Sequence, residues 1–184
     1  ENQIFITYSD DTSIGKYVID YNKEELDKVK SLSPNSGDFG EIKDVWITED
    51  IIYVLDSDKV YKINHNTKKQ LFEGNSDSYF PKEPYSITIS NEGKNIYLID
   101  KKEQRINIME EYDTNKYLSK GSISMSSHGV QAYFENIVDI LSYNGKFYVL
   151  DKEAEKIIVY KNTEPYEYVN ILAKGKSGYY TINP

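Results

Sequence analysis

The sequence predicts an all-β fold, and more narrowly a β-propeller of four blades, each with four antiparallel strands. Three observations carry this. An apolar run closed by aspartate recurs as Ile52-Tyr53-Val54-Leu55-Asp56, Ile96-Tyr97-Leu98-Ile99-Asp100 and Phe147-Tyr148-Val149-Leu150-Asp151. Further β-rich runs flank each copy, giving four short segments per unit. The closing aspartates, 44 and 51 residues apart, set the 40–50-residue period of a propeller blade.

The first unit is incomplete. Ile4-Phe5-Ile6-Thr7-Tyr8 matches a second strand, Lys16-Tyr17-Val18-Ile19 a third, and Leu26–Leu32 a fourth, with no first strand ahead of them. A weakly amphipathic pattern over Lys23–Leu32 also suits a helix, but its place in the repeat calls for a strand. The second unit (39–73) opens with Ile42-Lys43-Asp44-Val45-Trp46-Ile47, continues through Asp56 to Val60-Tyr61-Lys62-Ile63, and ends near Gln70-Leu71-Phe72. The third (80–120) runs from Tyr85-Ser86-Ile87-Thr88-Ile89 through Asp100 and Arg105-Ile106-Asn107-Ile108 to Tyr117-Leu118. The fourth (133–172) runs from Ile137-Val138-Asp139-Ile140-Leu141 through Asp151 and Lys156–Tyr160 to Tyr166–Val169. Segment 178–184 reads as one more first strand. It is expected to pair with the first unit (1–32) and close the ring, which would remove open sheet edges.

Local chemistry agrees with these assignments. The runs are rich in Ile, Val, Tyr and Phe, which fit a pleated, half-buried surface. Asn144-Gly145 between two runs is a hairpin signal, since both central residues of a type I′ turn need positive φ. Glu92-Gly93 is expected to do the same in the preceding unit.

Composition excludes several functions. The 184 residues carry a formal net charge of −8, so no nucleic-acid partner is expected. With no cysteine there are no disulfides, Cys-ligated metals or Cys nucleophiles. No apolar run approaches the roughly 20 residues of a spanning helix. His65 and His128 lie in different units, and no nucleophile-elbow, zinc-helix or phosphate-loop motif is present. No signal-peptide pattern stands at Glu1. The tyrosine load, 18 residues, tips the expectation towards an extracytoplasmic location.

The units resemble NHL-type and YncE-like β-propeller repeats. The residues that carry the likeness are Pro84–Ile89 leading to Ile96–Asp100 and Arg105–Ile108, and Ile137–Ile140 leading to Asn144-Gly145, Phe147–Asp151 and Lys156–Tyr160. The likeness covers most of 42–169, and 4–32 more faintly. It departs from that family in blade number and in lacking most of its glycines. It implies a fold and a habit of binding through loops, not one activity.

Candidate site residues follow from matching positions. Asp44, Ser86 and Asp139 fall at equivalent places in three first strands, where they could line a central channel. Such hard oxygen donors would suit Ca²⁺ or another cation, the one cofactor candidate, against a purely hydrogen-bonded role. Asp56, Asp100 and Asp151 are expected to shape their own turns by accepting backbone bonds two residues on. Phe39, Phe80 and Phe134 enter the first strands and are expected either to plug the gaps between blades or to form a platform. The connection Ser119–Asn136, 18 residues long, is well beyond the usual loop length of about 4–6 and is functional ground.

The function expected is a non-catalytic binding or scaffold module. Met125, His128, Tyr133, Phe134 and Tyr79 would meet a protein partner, with the chain itself a monomer. Two alternatives stand beside it. One is a carbohydrate-binding propeller or glycosidase, marked by aromatic side chains lying flat and exposed beside a carboxylate pair in one cleft. The other is half of a larger propeller completed by a second copy.

Overall fold

A computed structural model describes residues 3–7, 14–20, 25–31, 39–48, 51–64, 67–73, 80–90, 92–124 and 134–174, every element of which is a strand or a turn. The chain divides into two units, Glu1–Gln70 and Leu71–Pro184.

The first unit begins with a three-stranded sheet, β1 (Gln3–Thr7), β2 (Ile14–Asp20) and β3 (Glu25–Ser31), antiparallel in that order. The Lys23–Leu32 region is therefore strand, as its place in the repeat required. The segment expected to close the ring, 178–184, lies outside the described residues. A four-stranded sheet follows in the order β4 (Ile42–Ile47), β5 (Ile51–Asp56), β6 (Lys59–Asn64) and β7 (Thr67–Glu73). Ile14, Phe39, Ile42, Ile52, Val54 and Ile63 form this unit's core.

The second unit holds two four-stranded antiparallel sheets. The third sheet is β8 (Pro84–Ile89), β9 (Asn95–Asp100), β10 (Arg105–Asp113) and β11 (Lys116–Ser124). The fourth is β12 (Ile137–Tyr143), β13 (Lys146–Asp151), β14 (Lys156–Lys161) and β15 (Tyr168–Lys174). Their first strands, β8 and β12, lie side by side. One core joins them: Tyr97, Ile99, Ile106, Ile108 and Ile123 from the third sheet meet Phe134, Ile137, Ile140, Phe147, Val149, Ile158 and Tyr160 from the fourth. Phe147 stacks on Tyr160 with ring centroids 5.1 Å apart, and Tyr97 lies 5.3 Å from Phe147. Sequential meander sheets meeting face to face are propeller blades.

The turns follow their residues. Asn144 and Gly145 take φ of 48° and 71°, the paired left-handed conformation the type I′ hairpin requires. The Glu92-Gly93 turn differs from expectation. Only Gly93 is left-handed, with φ 72°, and its N–H donates to the Ser90 carbonyl inside a longer loop.

The first strands share one irregularity. The pairing shifts register between Ile42 and Asp44, between Pro84 and Ile87, and between Ile137 and Asp139. A bulge re-aims the side chains beside it, so three strands present Asp44, Ser86 and Asp139 through the same local device.

Candidate functional site

The strongest repeated constellation is structural. Asp56, Asp100 and Asp151 are all buried, at 4%, 0% and 0% exposure. Each carboxylate accepts N–H groups from the segment that leads into its own sheet. Gly40 and Glu41 donate to Asp56 at 2.9 and 2.7 Å, Lys82 and Glu83 to Asp100 at 3.1 and 3.4 Å, and Glu135 and Asn136 to Asp151 at 2.7 and 3.0 Å. A backbone bond reinforces each clasp: Ser57 N–H to Glu41 O, Lys101 N–H to Glu83 O, and Lys152 N–H to Asn136 O. The turn role differs from the expected bond two residues on, and it is the smaller part. Glu103 and Ala154 donate to Asp100 and Asp151 from three residues on. An ionised carboxylate has about four acceptor positions, and its own turn fills only one.

Phe39, Phe80 and Phe134 stand immediately ahead of these clasps at 4%, 3% and 1% exposure. They pack rather than form an exposed platform. Phe134 therefore lies inside the core and offers no surface to a partner, a correction to its expected docking role. The clasp on Glu135 and Asn136 pulls the chain inward at that point. Met125, His128, Tyr133 and Tyr79 lie outside the described residues.

The channel candidates separate into two units. In the second, Ser86 Oγ donates to Asp139 Oδ1 at 3.1 Å, and the same oxygen accepts the Ile140 N–H at 2.8 Å. In the first, Asp44 Oδ1 accepts the Val45 N–H at 2.8 Å, the same bond at the matching position. These groups serve the bulged strands. As a pair, Ser86 and Asp139 fall short of the six to eight oxygens Ca²⁺ takes. Among the described residues no group of three His, Asp or Glu side chains is placed to hold a metal ion.

A cleft at the opposite strand ends of the third and fourth sheets escaped the sequence reading. It encloses about 490 Å³ between the β8–β9 loop, β10, β11 and the β14–β15 loop. β11 supplies Lys120 through a bulge. Ile108 pairs with Gly121 and Met109 with Ser119, which leaves Lys120 as the extra residue. Gly121 makes this possible, because its φ of 127° suits a residue without a Cβ. Lys120 Nζ sits 2.8 Å from Glu110 Oε2, and that bond, with the charges of Glu110 and Glu164, raises the lysine's pKa.

The wall is tied down from both sheets. Tyr97 Oη donates to the Asn162 carbonyl at 2.9 Å, and the Asn162 N–H donates to Gly145 O at 3.1 Å. Burial pushes Tyr97 up to about 12, partly offset by a hydrogen bond with the Asn95 side chain. Tyr166, whose ring meets Tyr97 edge-on at 6.3 Å, is raised too, by burial first and then by neighbouring charges including Glu164 and Glu110. Tyr166, Glu110 and Glu164 thus line one cleft, and the ring is half-buried, where the carbohydrate alternative called for exposed aromatic side chains. The one sequence signal for it was Lys120-Gly121 inside a strand, where glycine marks a bulge.

No protein-family model matches the sequence, and no curated protein does. Solved structures do match. Virginiamycin B lyase from Staphylococcus aureus superposes with a TM-score of 0.56 at 11% identity, over 95% of this chain and 53% of that one. The periplasmic gluconolactonase PpgL of Pseudomonas aeruginosa gives 0.55 at 11%, over 86% and 49%. A candidate 6-phosphogluconolactonase from Bacteroides uniformis gives 0.56 at 12%, over 94% and 53%. With the blade-like sheets, these place the chain in the β-propeller class of folds. The chain spans about half the length of the structures it matches.

Proposed function

We propose that this propeller is a non-catalytic binding module for a protein partner. The observation that carries the reading is an open face on the fourth sheet. The strands β5, β9 and β13 share one pattern, yet Leu55 and Ile99 are fully buried while the matching Leu150 is 41% exposed. Leu141 and Tyr143, on the same face of the β12–β13 hairpin, are 48% and 66% exposed. Grouped apolar exposure of this kind marks interaction surfaces. β11 runs on to Ser124, so the connection expected over Ser119–Asn136 begins six residues later than the sequence suggested. The chain from there into this sheet would contribute Met125, His128 and Tyr133, with Tyr79 from the preceding connection. The repeated carboxylates support a scaffold role, since their oxygens are engaged by backbone N–H groups.

The test is partner capture by the purified chain and by two variants. One replaces Met125, His128 and Tyr133 with alanine; the other carries Leu141→Ser with Tyr143→Ser. Loss of capture in both supports the reading, and capture unchanged in both refutes it.

The half-length match favours a second reading of the same face, in which its occupant is another copy of this chain. Light scattering separates the two. A particle near 21.4 kDa supports a different protein as partner, and one of twice that mass supports self-pairing. No described helix is long and apolar enough to cross a membrane. An extracytoplasmic setting suits the high tyrosine content, and one structural neighbour is periplasmic by its description.

A further inference from the structure

We propose that the cleft between the third and fourth sheets binds a neutral saccharide, at a site separate from the partner face. Its size suits a small ligand, since about 490 Å³ falls within the usual range of roughly 300–1,000 Å³. Its lining selects the chemistry. Glu92 pairs with Lys94 at 3.4 Å and Glu110 with Lys120 at 2.8 Å, and with Glu164 these pairs line the same space. A cationic ligand would meet two ammonium groups, and an anionic one three carboxylates. A polyhydroxyl ligand meets neither penalty, because each hydroxyl can donate to a carboxylate and accept from an ammonium.

Tyr166 supplies the complementary surface. It is half-buried, and its ring is fixed against Tyr97 and Phe147, with centroids 6.3 Å from each. A ring locked in this way offers contact area to the apolar C–H face of a sugar with little ordering cost. The residue at the bulge adds the second argument. The matching bulge on β15 carries Val169, whereas β11 places the charged donor Lys120 there and aims it at the cleft. Lys120, between Glu110 and Glu164, is held cationic and in place as a donor.

The test is a titration of ¹⁵N-labelled protein with cellobiose, maltose and chitobiose, and separately with spermidine and citrate. The expected result is amide shifts confined to 90–95, 110, 120 and 162–166 with at least one disaccharide, and weaker responses to the two ions. Glu164 is exposed, so Glu164→Gln keeps the fold, and it should weaken the saccharide about tenfold by removing a charged acceptor. Alanine at Met125 and His128 should leave this titration unchanged, so failure here and failure of the partner reading can be told apart. No response to any of the three disaccharides overturns the proposal, as does a stronger response to spermidine or citrate, or an unchanged affinity in Glu164→Gln.

Discussion

The two ends of the third and fourth sheets are built from similar residue types and use them in opposite ways. At the clasp end, Asp100 and Asp151 are wholly buried and their oxygens accept backbone N–H groups, with Asp100 Oδ2 also 3.3 Å from the Arg105 guanidinium. At the cleft end, Glu110 and Glu164 line an open cleft together with Lys120, which pairs with Glu110 at 2.8 Å. The first arrangement recurs in the second sheet at Asp56. Among the described residues the second occurs once: a bulge also stands at the matching place on β15, but its extra residue there is Val169, and only β11 puts a lysine at that position. Recurrence in a repeat fold reports what every blade needs in order to stand. Departure from it reports what one place is for.

That contrast is broken most directly at Asp151. Asp151→Ala strands the amides of Glu135, Asn136 and Ala154, and should lower the urea-unfolding free energy by about 3–5 kcal/mol, several times the net value of one hydrogen bond. Asp151→Asn keeps an acceptor and should cost less. A loss below about 1 kcal/mol in the alanine variant would mean that the clasp contributes little.

A smaller effect is expected where the core reaches the cleft wall. Tyr97→Phe removes the hydroxyl bond to the Asn162 carbonyl and should cost about 0.5–1.5 kcal/mol at neutral pH. It should also change the alkaline limb. Burial holds Tyr97 at about 12, above the ordinary value near 10, so its ionisation is harder in the folded state. The resulting stability is fully present below about pH 10 and drains as pH climbs through about 12. Tyr160 and Tyr166, also raised by burial, act in the same direction. Unfolding measured across this window should fall less steeply in Tyr97→Phe than in the parent. Equal slopes would remove Tyr97 from the account.

The smallest effect belongs to the cleft end. Lys120 and Glu110 are each 40% exposed, and Lys120→Met should leave the urea-unfolding midpoint nearly unchanged. A loss comparable to that of Asp151→Ala would make the cleft part of the framework and erase the distinction between the two ends.

The sequence disclosed the clasp end and hid the other. Repetition made the strands legible: Ile-Tyr-Val-Leu-Asp and its two relatives fixed the second strands, and Asn144-Gly145 fixed one hairpin. It also singled out Asp100 and Phe134 by position. Their partners were harder to read, because the N–H groups that Asp100 and Asp151 accept lie 15 to 18 residues upstream, brought close only by the antiparallel meander. Phe134 shows the limit of reasoning from loop composition, since it sits in a polar connection and is nonetheless core. The cleft was invisible for a different reason. Asn95, Glu110, Lys120 and Glu164 belong to separate strands and loops, and no periodicity links them. Only the register of β10 on β11, with its bulge at Lys120, brings two of them together.

Amide hydrogen exchange at Lys82, Glu135 and Asn136 tests the central claim, that the repeated aspartates hold the blades by gripping the incoming chain. These amides precede their strands, so by secondary structure alone they would exchange like an exposed connection. The account predicts protection close to that of the core strands, and loss of protection at Glu135 and Asn136, with Lys82 unaffected, in Asp151→Ala. Rapid exchange at all three in the parent protein would contradict it.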